Sequence, residues 1–221
     1  NMDEGWTRFV LEDYGFEYHS VTNSEVRAES LRKSYDVIIF PDQNSAELES
    51  GFDKDEAPAD YAGGLGEMGV RSLRHFVEEG GTIVALSAAT EFFIKKFWLR
   101  VEDVTSTVDR ANFSAPGSVL RVIAQPSHPL AYGAQREEAI FFADSPAFRV
   151  QEGRAILAYP PGGILLSGWL AGESFLADRA ALVESPMGGG RIILYGFRPQ
   201  FRAQFRASYK FLFNALYLSL E

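Results

Sequence analysis

Apolar positions along the chain switch between a helical and an extended rhythm. Trp6, Phe9, Val10 and Tyr14 stripe a first helix that Gly15 ends, and Asp3 and Glu4 fall where the helix dipole favours negative charge. Phe16 to Val21 alternates apolar and polar residues and predicts a short strand. Ser24 to Lys33 predicts a short polar helix with Ser24 as its N-cap. Tyr35-Asp36-Val37-Ile38-Ile39-Phe40-Pro41 predicts a buried strand closed by proline. Val70, Leu73, Phe76 and Val77 stripe the next helix, which Gly80-Gly81 stops because glycine enters a left-handed C-cap without a Cβ penalty. Thr82 to Leu86 is a run suited to a strand covered on both faces. Ser87-Ala88-Ala89 turns the chain into a helix from Glu91 to Phe97, with Phe93 and Phe97 four apart. Helix, Gly-Gly, buried strand, small corner and helix in succession make the core of a parallel α/β sheet. The corner at Ser87 is where such sheets keep their chemistry.

Asp42 to Gly69 reads as one long acidic loop ending in the glycine-rich piece Tyr61 to Gly69. Loops of this length in a compact domain are functional or disordered. Residues 99–185 give short β-like runs at Val119–Ala124, Ala139–Phe142, Ala155–Tyr159, Ile164–Leu170 and Ala180–Glu184. Turn dipeptides such as Pro116-Gly117, Pro161-Gly162 and Gly188-Gly189 separate several of them. Arg191 to Phe197 predicts a final strand. Phe205, Tyr209, Leu212, Phe213, Leu216 and Leu220 stripe a C-terminal helix that packs on the sheet. The reading is a single domain, 1–221, with a β-rich insertion at about 99–185.

The net charge of −9 argues against a nucleic-acid partner, which requires clustered Lys and Arg. No apolar run is long enough for a membrane span. Zero cysteines exclude disulfides, thiolate metal sites and thiol nucleophiles. His19, His75 and His128 show no metal-binding spacing, so no protein metal site is expected.

Two stretches resemble the class I glutamine amidotransferase-like fold. Leu86-Ser87-Ala88-Ala89-Thr90-Glu91-Phe92-Phe93 falls on its nucleophile elbow, and Gly196-Phe197-Arg198-Pro199-Gln200-Phe201 on its late Phe-His-Pro-Glu strand end. The resemblance implies a flavodoxin-like three-layer sheet with additional β-hairpins in the C-terminal half. It sets Ser87 at the nucleophile position, Arg198 at the histidine and Gln200 at the glutamate, with Gly63-Gly64 where backbone N–H groups hold an oxyanion. Met2-Asp3-Glu4-Gly5-Trp6-Thr7-Arg8, Phe40-Pro41-Asp42-Gln43 and Gly196 to Arg202 also resemble a domain found C-terminal to bacterial carboxypeptidase A-type zinc peptidases. That resemblance implies that the fold's first strand and the peptidase lie upstream of Asn1. Zinc then belongs to that upstream domain and not to this one, and the setting is periplasmic or secreted. Similar helix–Gly-Gly–strand texture occurs in amidotransferase-like domains of bacterial β-galactosidases and trehalose-utilisation proteins.

A serine hydroxyl needs a base within hydrogen-bond reach to act as a nucleophile. Arg198 stays protonated at physiological pH and offers no acceptor. The expectation is a catalytically silent domain that binds a small ligand, a partner or the peptidase domain. The ligand-binding candidates are Asp42, Gln43, Gly63, Gly64, Ser87 and Arg198. The alternatives are a small hydrolase using Ser87 with another base, or an oligomerisation module. An edge strand left without a neighbour invites pairing with a second copy.

Overall fold

The computed structural model describes residues 1–28, 30–52, 55, 57 and 62–219. In chain order the elements are α1 (Met2–Asp13), α2 (Asn23–Val26), β1 (Val37–Phe40), α3 (Ser45–Ser50), α4 (Gly66–Glu78), β2 (Thr82–Leu86), α5 (Ala89–Lys96), β3 (Val101–Asp103), β4 (Ser118–Ala124), β5 (Glu137–Phe142), β6 (Phe148–Val150), β7 (Arg154–Ala158), β8 (Leu165–Ser167), β9 (Ala180–Met187), β10 (Gly190–Tyr195) and α6 (Tyr209–Leu218).

The described residues build one mixed sheet in the order β1-β2-β10-β9-β7-β4-β5, with β3, β6 and β8 off that path. Parallel pairing is confined to β1-β2-β10; β9 returns antiparallel beside β10, and β4 and β5 form an antiparallel pair. The architecture is the expected flavodoxin-like α/β core with β-hairpins added in the C-terminal half.

Side-chain alternation along β2 divides the core into two layers. Ile83 and Ala85 face Leu73, Phe76 and Val77 of α4 and Phe92 and Phe93 of α5. Val84 and Leu86 share the other cluster with Phe211, Leu212 and Ala215 of α6. Tyr14, at the end of α1, packs its ring on Tyr209 and Phe213, so α1 and α6 lie side by side. Every residue of β2 is buried, as a strand flanked by strands and helices on all sides must be.

Four expectations change. Phe16 to Val21 forms no strand: β1 pairs only with β2 among the described residues, and Phe16 instead packs on Phe213 and Tyr217 of α6. The segment from Ser24 to Lys33 breaks into α2 and a turn at 31–33, and the N-cap is Thr22, not Ser24. Glu25 lies three residues after Thr22 and closes a reciprocal capping box, accepting from the Thr22 N–H at 2.7 Å. The loop from Asp42 to Gly69 contains α3, capped by the Asn44 side chain and anchored by buried Leu48, and α4 already begins at Gly66. Residues 53, 54, 56 and 58–61 of this loop lie outside the described residues. The C-terminal helix starts at Tyr209, with Phe205 in the preceding turn; Leu220 lies outside the described residues.

Candidate functional site

β2 ends at Leu86, and the next residue reverses the chain into α5. The Ser87 N–H donates to the Tyr195 carbonyl at 2.8 Å, which ties the corner to β10. Its own carbonyl accepts from the Thr90 N–H at 3.1 Å and from the Thr90 hydroxyl at 2.7 Å. Held from both sides, Ser87 adopts φ 50°, a left-handed conformation that costs a non-glycine residue about 1–3 kcal/mol. Asp144 and Arg202 share this conformation, at φ 45° and 48°, and all three line one cleft of about 680 Å³. Half of the six non-glycine residues with positive φ among the described residues thus meet at this cleft. Its wall also carries Asp42, Ala88, Glu91, Asp103, Arg110 and Arg198.

The cleft lies at the C-terminal ends of the parallel strands, where β1 delivers Asp42, β2 delivers Ser87 and β10 delivers Arg198. Asp42 joins the other two elements through one carboxylate. Its Oδ1 accepts from the Ala88 N–H at 3.0 Å, and its Oδ2 accepts from Arg198 Nη1 at 3.2 Å. Arg198 also lies over the Phe201 ring, 4.6 Å from its centroid. The Asp42 backbone is pinned as well: its N–H donates to Asp3 Oδ2 at 3.0 Å, and its carbonyl accepts from Asn1 Nδ2 at 2.9 Å. Gln200 is fully buried behind Arg198 and donates from Nε2 to Asp3 Oδ2 and to the Thr7 hydroxyl, both at 3.0 Å. Its Oε1 has no partner among the described residues, because the Asp3 carboxylate needs the amide's donors.

Of the candidates read from the sequence, Asp42, Ser87 and Arg198 converge in the cleft. Gln200 faces inward, and Gln43 does not line the cleft. Gly63 and Gly64 do not line it either; a Cβ on Gly64 would stand 2.2 Å from the Glu49 carbonyl of α3. Their carbonyls accept from Asn23 and Arg27, so this pair lets α3 approach closely and anchors α2. The sequence marks Asp3 only as a helix-dipole residue. The signal for its further role is a carboxylate in the first turn of a helix whose stripe must be buried.

No base reaches the serine. The Ser87 hydroxyl has no hydrogen-bond partner among the described residues, and none of the three histidines lines the cleft. His19 and His75 pair with Glu25 and Glu79 at the surface. His128 Nδ1 accepts from the Leu130 N–H, which leaves Nε2 to donate to buried Glu184 at 3.2 Å. Glu184 also takes Arg191 at 3.3 Å, so this group fastens the turn after β4 to β9 and β10.

Burial pushes the Asp3 carboxyl above its ordinary value of 3.8, against the pull of the Asp42 N–H and the Arg198 charge. The folded protein therefore holds this proton more tightly than the unfolded chain. That contribution to stability is full below 3.8 and is lost as pH rises through the raised folded value. In Asp3→Asn an amide oxygen still accepts from Asp42 and Gln200, but nothing titrates. The unfolding free energy of Asp3→Asn minus that of wild type is expected to grow as pH rises across this window. Urea unfolding from acid to neutral pH measures it, and a difference that stays constant with pH refutes it.

No protein-family model matches this chain, and no curated protein sequence does. Solved structures share its fold. The Cytoplasmic Protein STM3548 from Salmonella typhimurium is 14% identical, with a TM-score of 0.58 over 96% of this chain and 85% of that one. The Cytoplasmic Protein STM1381 from Salmonella typhimurium LT2 is 14% identical with a TM-score of 0.58, over 97% and 86%. A candidate GMP synthase component from Thermoplasma acidophilum is 11% identical, with a TM-score of 0.57 over 97% and 87%. The class these likenesses define is a glutamine amidotransferase-like α/β fold.

Proposed function

We propose that this protein is a non-hydrolytic domain of amidotransferase-like fold that binds a small anionic ligand in the cleft above Ser87. The observation that carries the reading is the position of Arg198. At the position that the amidotransferase resemblance gives to the base, this chain carries a guanidinium, already paired with Asp42, and no acceptor. In serine hydrolases, loss of the base lowers the rate by roughly four to six orders of magnitude. The arginine offers an anion a charged, planar donor set instead. Isothermal titration with succinate, inorganic phosphate and galactose tests the proposal. Binding of an anion, weakened about tenfold or more in Arg198→Ala, is the expected result. Binding of the neutral sugar alone, or binding indifferent to Arg198, overturns it.

One observation favours a second reading, a hydrolase. The strained φ at Ser87 is the kind of outlier that functional corners retain. Covalent labelling of Ser87 by a serine-directed phosphonate would establish that reading and displace the first.

The proposal extends to a peptidase partner in the same protein. The three motifs that resemble the carboxypeptidase-associated domain meet in one hydrogen-bonded cluster: Asp3 of the first, Asp42 of the second, Arg198 and Gln200 of the third. A zinc-peptidase H-x-x-E motif in the reading frame ahead of Asn1 supports the partnership, and an unrelated upstream sequence removes it.

A further inference from the structure

Asp42 makes contacts that a bound carboxylate would make. Its two oxygens bridge a backbone N–H at the start of α5 and the Arg198 guanidinium, at 3.0 and 3.2 Å. A helix N-terminal amide and an arginine are both favourable donors to an anion. Beside them, Ser87 lines the same cleft, is only 3% exposed, and has a hydroxyl without a hydrogen-bond partner among the described residues. A hydroxyl left in that state has hydrogen-bonding capacity to spare.

We infer that the Asp42 carboxylate is a built-in competitor. It occupies the anion site in the free protein and is displaced when a carboxylate ligand takes the Ala88 N–H and Arg198, with the Ser87 hydroxyl as a third donor. The inference rests on the proposed anion-binding function of this cleft and names the ligand class. It requires only a side-chain rotation, because Asp3 and Asn1 hold the Asp42 backbone by its N–H and its carbonyl. The side chains of Asp42 and Arg198 are 26% and 19% exposed, so a ligand can reach both. A tethered group competes at a high effective concentration, and the apparent affinity of the ligand falls in proportion to the fraction of molecules in which the site is free.

Asp42→Asn separates the two roles of this residue. The asparagine oxygen still accepts from the Ala88 N–H, and the backbone contacts to Asp3 and Asn1 are untouched, but the charge facing Arg198 is gone. The probe is succinate, a dicarboxylate, because Arg110 and Arg202 line the cleft with no acidic partner among the described residues and can receive its second charge. Asp42→Asn is expected to bind succinate about tenfold more tightly than wild type, as follows if the site is free in roughly one molecule in ten. Arg198→Ala is expected to weaken binding about tenfold or more in both backgrounds. Unchanged or weaker binding in Asp42→Asn, while Arg198→Ala still weakens binding to wild type, overturns the competition and leaves the anion site standing. Binding indifferent to Arg198, or no binding by any variant, overturns the site itself. A measurement on wild type guards against a variant that fails to fold. The Ala88 amide resonance must shift as succinate saturates, since its acceptor changes, and a static Ala88 resonance at saturation overturns the displacement.

Discussion

Gly190→Ala is expected to lower stability by about 3 kcal/mol or more, which for a chain of this size is a fall in Tm of roughly 6–12 °C. Gly190 opens β10, where the strand passes beneath the end of α4. A Cβ there would stand 2.1 Å from the Gly81 carbonyl oxygen and 2.4 Å from that of Val77. Both obstacles are backbone, so no rotamer change relieves them. Either α4 lifts from the sheet or β10 shifts against β2, and Arg191 must stay opposite Thr82 for the parallel register to hold. Gly5→Ala is the matched control. It lies inside α1, half-buried but with nothing within 4 Å of a new Cβ, and replacing a helical glycine where the space is open stabilises by up to about 1 kcal/mol. Urea unfolding of both variants measures the contrast. An unchanged midpoint for Gly190→Ala would show that β10 and α4 do not approach this closely.

Phe93→Ala is expected to cost about 3–5 kcal/mol, the range for a fully buried aromatic replaced by a methyl group. Phe93 is completely buried on α5, with ring centroids of Phe40, Phe92 and Phe97 at 4.7, 5.2 and 5.4 Å. The consequence reaches the cleft, because α5 carries the Ala88 N–H that holds Asp42. Weaker anion binding should therefore accompany the loss of stability. Phe93→Leu, which keeps most of the volume, should recover the larger part of both. A cost below about 1 kcal/mol for Phe93→Ala would mean that the aromatic cluster collapses onto the space, contrary to the rigidity expected of a close-packed core.

The convergence of the candidate residues was legible in part. Ser87 followed from a buried strand running into small residues and a helix, Asp42 from its place just past a strand end, and Arg198 from the resemblance of Gly196 to Phe201 to the amidotransferase motif. What the sequence concealed was their connection. Asp42 and Arg198 are 156 positions apart, and no periodicity predicts that one carboxylate will span the β1 and β10 ends and cap the Ser87 corner. Asp3 was concealed for the same reason, since a charge in the first turn of a helix is ordinarily solvated. Gly63 and Gly64 drew attention as a glycine-rich loop, whereas their freedom serves the close approach of α3. α3 itself was signalled by Asn44 followed by Glu47, but the acidic composition around it masked the cap.

Local pattern alone determined β1, α4, β2, α5 and β10, because each combines an apolar run or stripe with a stop signal that acts within a few residues. It also placed an arginine at the base position of the resembled motif, and a guanidinium offers no acceptor. Tertiary structure decided which segments become strands and what the polar residues do. Phe16 to Val21 alternates like a strand, yet with no described neighbour to pair with it packs its aromatic ring on α6. The partners of Asp3, Asp42, Arg198 and Gln200 likewise depended on the sheet bringing distant strand ends together. Hydrogen bonds and ion pairs act over a few ångströms, and only the folded chain sets those distances.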